Sequence, residues 1–284
     1  MKDVLELCKM VARSLVAEIG PWGNHCAFIG GLVPGLLLPY PSDDLAPHVG
    51  TRDVDLALRV AAIGEEGEMY RTLKNNLTAL QLVQTGDRTF EWTRTVEGFT
   101  VIVELFVPVE MPEQGGKIQR RPIEKSGSGL TALGIYGLDL IERDFVEIED
   151  EGPLLDDKGI KKVTLRVCGP AVLLGLKAWA LHERVKAKDG YDVVWMLKAF
   201  GAEAVSVRFL KARLHETDFG VQALTFLEEH FATSTHTGPA GWTNESQFMG
   251  DEKAREARIA VGIVQDFIYR VRNSSSQNAA PEEP

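Results

Sequence analysis

At Gly169-Pro170 the chain changes character. Upstream, short apolar runs alternate with turns that contain glycine and proline; downstream, apolar residues recur at three- and four-residue intervals as far as Arg272. Strands gathered in one half and helices in the other give an α+β part over residues 1–169 and an all-helical part over 170–272. Pro170 suits the first position of a helix, where its missing N–H is harmless. Residues 273–284, rich in Ser, Asn, Pro and Glu, are expected to form a disordered tail.

Within the first part, residues 2–19 place Val4, Leu5, Cys8, Val11, Ala12, Leu15 and Val16 on one helical face. A short strand at 25–29 leads into Gly30-Gly31 and a brief helix at 32–38. Alternation over 53–60 predicts a strand and 65–81 a helix. Residues 89–94 and 99–107 read as two strands joined at 95–98; the second is apolar on both faces and therefore central. Residues 111–129 read as a loop, with shorter strands at 145–148 and 163–167. Helices are expected at 171–187, 191–200, 202–214, 221–231 and 252–272.

Composition narrows the function. A chain of 284 residues that is 44% hydrophobic fills a core, and its net charge of −10 argues against a sequence-independent nucleic-acid coat. The longest apolar stretches are too short to span a bilayer, and the N-terminus lacks a secretory h-region, so a cytoplasmic location is expected. Cys8, Cys26 and Cys168 are too scattered for a zinc ribbon or a disulfide framework and read as small core hydrophobes.

The chemistry concentrates in a few segments. Asp53 and Asp55, two apart on a strand, project from one face and repel unless a cation lies between them. Their oxygen donors favour Mg²⁺; the bland alternative is a solvated strand end. Glu104 interrupts an apolar run, where an ionised carboxylate needs a partner: a metal shared with the aspartates, an arginine, or an edge position. Gly30-Gly31, between a strand and a helix, reads as a phosphate loop or an ordinary turn. Lys177 is the one charged residue between Pro170 and His182, and either snorkels or faces a triphosphate; Arg184, seven residues on, shares its face. The acids of Lys188-Asp189-Gly190-Tyr191-Asp192 would serve equally as a helix cap and surface pair.

The order of a double glycine, Thr51-x-Asp53-Val54-Asp55-Leu56 and an acid in a later strand resembles the nucleotidyltransferase superfamily of the DNA polymerase β type. Pro170, Lys177-Ala178-Trp179-Ala180-Leu181, Arg184 and Lys188-Asp189-x-Tyr191-Asp192-Val193 are similar to the C-terminal signature of AbiEii-type nucleotidyltransferases, which include toxins of toxin–antitoxin pairs. The resemblance implies a small mixed sheet bearing the acids, a helical domain, and NTP with Mg²⁺ between them. It implies that Gly30, Gly31 and Lys177 meet phosphate, that Thr51 supports the nucleotide, and that Asp53 and Asp55 bind metal, with Glu104 as third acid. Asp189 or Asp192 would be the acid of the last motif. Val49 and Glu104 depart from the family pattern, which often has arginine and more usually aspartate there, and the interval from Gly31 to Asp53 is long.

The implied reaction is transfer of a nucleoside monophosphate from NTP with release of pyrophosphate. The toxin relatives suggest the 3′ end of tRNA as acceptor and an antitoxin protein as partner; Lys117, Arg120, Arg121 and Lys125, in a loop that also holds Glu113 and Glu124, would contact an RNA backbone or form ordinary solvated surface. A small-molecule acceptor of the antibiotic type and a non-catalytic nucleotide-binding protein are the alternatives.

Overall fold

The computed structural model describes residues 4–39, 41–42, 45–58, 66–110, 122–125 and 130–277. Its strands are β1 (Cys26–Ile29), β2 (Asp53–Leu58), β3 (Val83–Gln84), β4 (Glu91–Val96), β5 (Phe99–Val109), β6 (Pro122–Lys125), β7 (Leu130–Tyr136), β8 (Phe145–Pro153) and β9 (Ile160–Cys168). The helices are α1 (Val4–Ile19), α2 (Val33–Leu37), α3 (Glu66–Ala79), α4 (Pro170–Arg184), α5 (Ala187–Phe200), α6 (Ala202–Lys211), α7 (Asp218–His230), α8 (Thr237–Glu245) and α9 (Gly250–Gln277). None of the described helices is long and apolar enough to cross a membrane. The chain divides into two compact units: Met1–Pro39, Val49–Ile141 and Phe145–Cys168 form the first, and Tyr40–His48, Glu142–Asp144 and Gly169–Pro284 the second.

The first unit is built on a mixed sheet in the order β3-β4-β5-β2-β1-β9-β8, with β7 beside β5 and β6 beside β7. The run apolar on both faces, β5, is central as expected: β2 lies parallel along one edge, while antiparallel β4 and parallel β7 share the other. Val101, Val103, Leu105 and Val107 are fully buried along it. The β4–β5 connection is tighter than the sequence suggests, because Val96 pairs with Phe99 and leaves only Glu97 and Gly98, both at positive φ, in the turn. Two further corrections enlarge the sheet. Residues 122–125, expected to lie in a loop, form β6, and β8 and β9 run well past their apolar cores, with Glu147 opposite Arg166 and Glu151 opposite Lys162. Opposite charge across the ladder holds a pair of strands that hydropathy alone cuts short.

Helix α1 covers the sheet with Leu7, Val11 and Leu15, each fully buried and contributing about 1.5–3 kcal/mol by leaving water. Its inward face also carries two polar residues that the apolar pattern passed over. Arg13 donates to Asp150 Oδ2 at 2.7 Å and to the Pro153 carbonyl at 2.8 Å; Ser14 donates to the Met10 carbonyl and accepts the Leu155 N–H.

In the second unit, Pro170 stands at the first position of α4 and Gly169 before it. The cap comes from a distant stretch of chain: the Asp144 carboxylate accepts the N–H groups of Ala171 and Val172 at 2.8 and 3.1 Å and binds Arg208. A Cβ on residue 169 would sit 2.3 Å from that carboxylate, so only glycine fits. Helix α8 escapes the sequence reading because it contains Gly238, Pro239 and Gly241. Those glycines let α5 and α8 pack backbone to backbone; a Cβ on Gly241 would lie 2.3 Å from the Ala187 carbonyl. Helix α9 continues to Gln277, which moves the expected start of the tail at residue 273; residues 278–284 lie outside the described residues.

Candidate active site

Four carboxylates meet on one face of the central strands. Asp53 opens β2 and Asp55 follows two residues later, so both side chains leave the same side, with buried Val54 between them on the other. Glu104 on β5 is directly opposite Asp55, and Glu91 on β4 is directly opposite Glu104. Residues in register across neighbouring strands share a face, so Asp55, Glu104 and Glu91 form a lateral row with Asp53 beside it. Glu104, rather than pointing away, is hydrogen-bonded to Asp55.

Local structure fixes each member. Thr51 Oγ1 accepts the Asp53 N–H at 3.0 Å, a short side-chain turn that sets where β2 begins. On β1, Ile29 is in register with Asp55, which brings Gly30 against the Asp55 carboxylate. Gly30 has φ +69°, and a Cβ there would lie 1.8 Å from Asp55 Oδ2. Glycine is therefore required twice, for the backbone turn and for the space the acid occupies. Gly31 is buried in the following turn, ahead of α2.

Arg88, which the sequence reading passed over, is the cation of this row. It is 2.6 Å from Glu104 Oε1 and 2.8 Å from Glu91 Oε2, and its side chain is 58% exposed against 17% for Glu104. The structure thus supplies the arginine partner foreseen for Glu104 as well as the proximity to the aspartates. Burial, with the like charges of Asp53 and Glu91, pushes the Glu104 carboxyl above its ordinary value against the opposing effect of Arg88 and the bond to Asp55. Among the described residues, Arg88 is the cation that the printed ion pairs bring to these four acids.

The other predicted residues gather in the helical unit. Lys177 on α4 does not snorkel: it is 8% exposed and its ammonium lies 2.5 Å from Asp192 Oδ2 and 3.2 Å from Asp189 Oδ1, both on α5. Arg184 donates to both oxygens of Asp189, each at 2.7 Å. Asp189 and Asp192 are buried helical residues of α5, not a surface pair. Val185 makes this possible: at φ +49° it ends α4 in a left-handed turn, so that α5 begins at Ala187 and folds its acids back on α4. His48, a second residue the sequence reading missed, places Nε2 2.9 Å from Asp192 Oδ1, with Tyr191 and Trp195 around its ring. The Lys177 charge, partly offset by burial, and the His48 bond hold Asp192 well below the usual carboxylate range; Asp192 and Asp189 hold Lys177 above the usual lysine value. Nothing in the local pattern around His48 signals this contact, which depends on residues 144 positions apart.

Lys117, Arg120 and Arg121 lie outside the described residues, and Lys125 ends β6.

No curated protein matches this chain. Among solved structures it is similar to an antigenic nucleotidyltransferase-like protein from Paracoccidioides brasiliensis, with 16% identity and a TM-score of 0.31 over 78% of this chain and 92% of that one. The family model described as nucleotidyl transferase AbiEii toxin, type IV TA system, matches residues 13–257, a span that holds the acidic row, the ion-pair core and most of both units. With a match of that extent, the chain belongs to the AbiEii family of nucleotidyltransferases.

Proposed function

We propose that this nucleotidyltransferase moves a nucleoside monophosphate from NTP to an acceptor, releasing pyrophosphate, on the acidic row of the sheet. The observation that carries the reading is the registration of Asp55 with Glu104, beside Asp53, at a point where Gly30 has no side chain. The donor set is all oxygen, which fits Mg²⁺. Bound there, Mg²⁺ would supply charge stabilisation for an in-line displacement at the α-phosphate. Asp53 and Asp55 are assigned as its ligands, with Glu104 completing the set.

The chain's own residues do the positioning. Thr51 fixes the Asp53 backbone, and Arg88 holds Glu104 and Glu91 in the row while its exposed guanidinium remains in reach of solvent-borne anions. Gly30 and Gly31 are assigned to phosphate through the backbone of the turn beside Asp55. In the helical unit, Lys177 and Arg184 are assigned to phosphate; Arg184, one-third exposed against 10% for the Lys177 side chain, is the more accessible. Asp189 and Asp192 orient both cations rather than touch the reacting atoms.

For the acceptor, the toxin description of the family favours RNA, with the 3′ end of tRNA as first candidate and an antitoxin protein as partner. Incubation with each labelled NTP and total RNA, and separately with aminoglycosides, decides between RNA and small-molecule acceptors. Asp53→Ala/Asp55→Ala is expected to lower Mg²⁺-dependent transfer by about a thousandfold or more while the fold is retained. Unchanged transfer in that variant refutes the site; NTP binding without pyrophosphate release across the acceptor panel refutes catalysis.

A further inference from the structure

A third cluster lies apart from the acidic row and the ion-pair core, at the C-terminal ends of α4 and α7. His182 is in the last turn of α4, and Glu229 and His230 are in the last turn of α7. One donor atom from each side chain lies within 4.8 Å of the other two. His182 Nδ1 is 3.5 Å from Glu229 Oε2. The His182 ring stacks flat on Phe226, with centroids 3.7 Å and planes 13° apart, and meets His230 edge-on at 5.6 Å. Phe226 therefore fixes the plane of one imidazole against the other.

An independent observation points to a missing partner. His230 Nε2 is buried and has no hydrogen-bond partner. A ring nitrogen shielded from water with nothing to bond costs about 1–3 kcal/mol. Histidines at helix C-termini also stabilise the helix dipole, but only when protonated. That role accounts for neither the orphaned Nε2 of His230 nor the convergence of Glu229.

We propose that His182, Glu229 and His230 form a binding site for a divalent transition-metal ion of the zinc class that staples the end of α4 to the end of α7. Two imidazole nitrogens and one carboxylate oxygen are a donor set that Zn²⁺ accepts and Mg²⁺ does not favour, with the fourth position left to solvent. Drawing donors from within 4.8 Å to the ~3.4 Å spacing of tetrahedral ligands asks mainly for rotation of Glu229, whose side chain is 55% exposed. The helix so fastened is the one that carries Lys177 and Arg184. The site is independent of the nucleotidyl-transfer reading, since it shares no residue with the acidic row.

The test uses the full-length chain with Asp53→Asn/Asp55→Asn, which removes the acidic row as a competing site. Titration with ZnCl₂ by calorimetry and with CoCl₂ by visible absorption is expected to show one equivalent bound, with cobalt bands of a nitrogen–oxygen site, and a rise in Tm with Zn²⁺. His182→Ala and Glu229→Gln, both at exposed positions, are each expected to weaken Zn²⁺ binding about tenfold or more and to abolish the Tm rise. Unaltered affinity in those two variants, thiolate-to-cobalt charge-transfer bands from the cysteines, or Zn²⁺ binding no tighter than Mg²⁺ binding would overturn the proposal.

Discussion

The acidic row of the sheet and the ion-pair core of the helices are both made of residues that the sequence marks as functional, yet they are opposite electrostatic designs. In the core, Lys177 and Arg184 balance Asp189 and Asp192, with only Arg184 reaching water to any extent. In the row, Asp53, Asp55, Glu104 and Glu91 face one exposed arginine among the described residues. A balanced network fixes geometry and gains nothing from an added cation; an acidic row is completed by one. The difference separates cations already held in place from carboxylates placed to hold one.

Breaking the core gives the largest effect on stability. Asp192→Ala leaves Lys177 with one fewer carboxylate and removes the His48–Asp192 bond, and is expected to cost about 3–5 kcal/mol in chemical denaturation. In the row, Glu104→Gln is expected to lower transfer by about a hundredfold, equivalent to about 2.7 kcal/mol in the barrier, without loss of stability. A smaller effect is expected at Val185, a β-branched and exposed residue held at φ +49°. Val185→Gly relieves that strain and is expected to raise stability by about 0.5–1 kcal/mol in denaturant titrations.

Acid sharpens the comparison because the two clusters respond with opposite sign. The folded state lowers the Asp192 pKa, so its contribution is present above the unfolded aspartate value and is lost as the pH falls through the acid range. The folded state raises the Glu104 pKa, so its contribution is complete below the unfolded glutamate value and is lost as the pH rises through the raised value. Denaturation of Asp192→Asn is therefore expected to approach the parent as the pH falls below the unfolded aspartate value. Glu104→Gln is expected to gain on the parent as the pH rises above the unfolded glutamate value. Parallel pH profiles for the two variants would remove the distinction.

What the sequence reveals follows from the range of the forces involved. The DxD pair, the strand carrying Glu104 and the helical start at Pro170 are visible because side-chain period and proline chemistry act within a few residues. Arg88 and Glu91 stay hidden because their partnership with Glu104 depends on hairpin register, set by a two-residue turn where the sequence suggests a four-residue connection. His48 and Asp144 are fixed only by tertiary packing, the first on Asp192 and the second on the N-terminus of α4. Helix α8 defies its own propensities because glycine is what its contact with α5 demands. Strand β7 is missed for a related reason: in Leu130–Tyr136, Ala132 and Gly134 supply too little bulk for the alternation to register as a strand.

The most direct measurement of the central claim is the thermal shift produced by Mg²⁺ in the parent chain and in Asp53→Asn/Asp55→Asn. A ligand that binds only the folded state raises Tm in proportion to its occupancy. Mg²⁺ is expected to raise the Tm of the parent and to leave that of the double variant unchanged. An equal rise in both proteins would show that the cation binds elsewhere and would contradict the assignment of the acidic row.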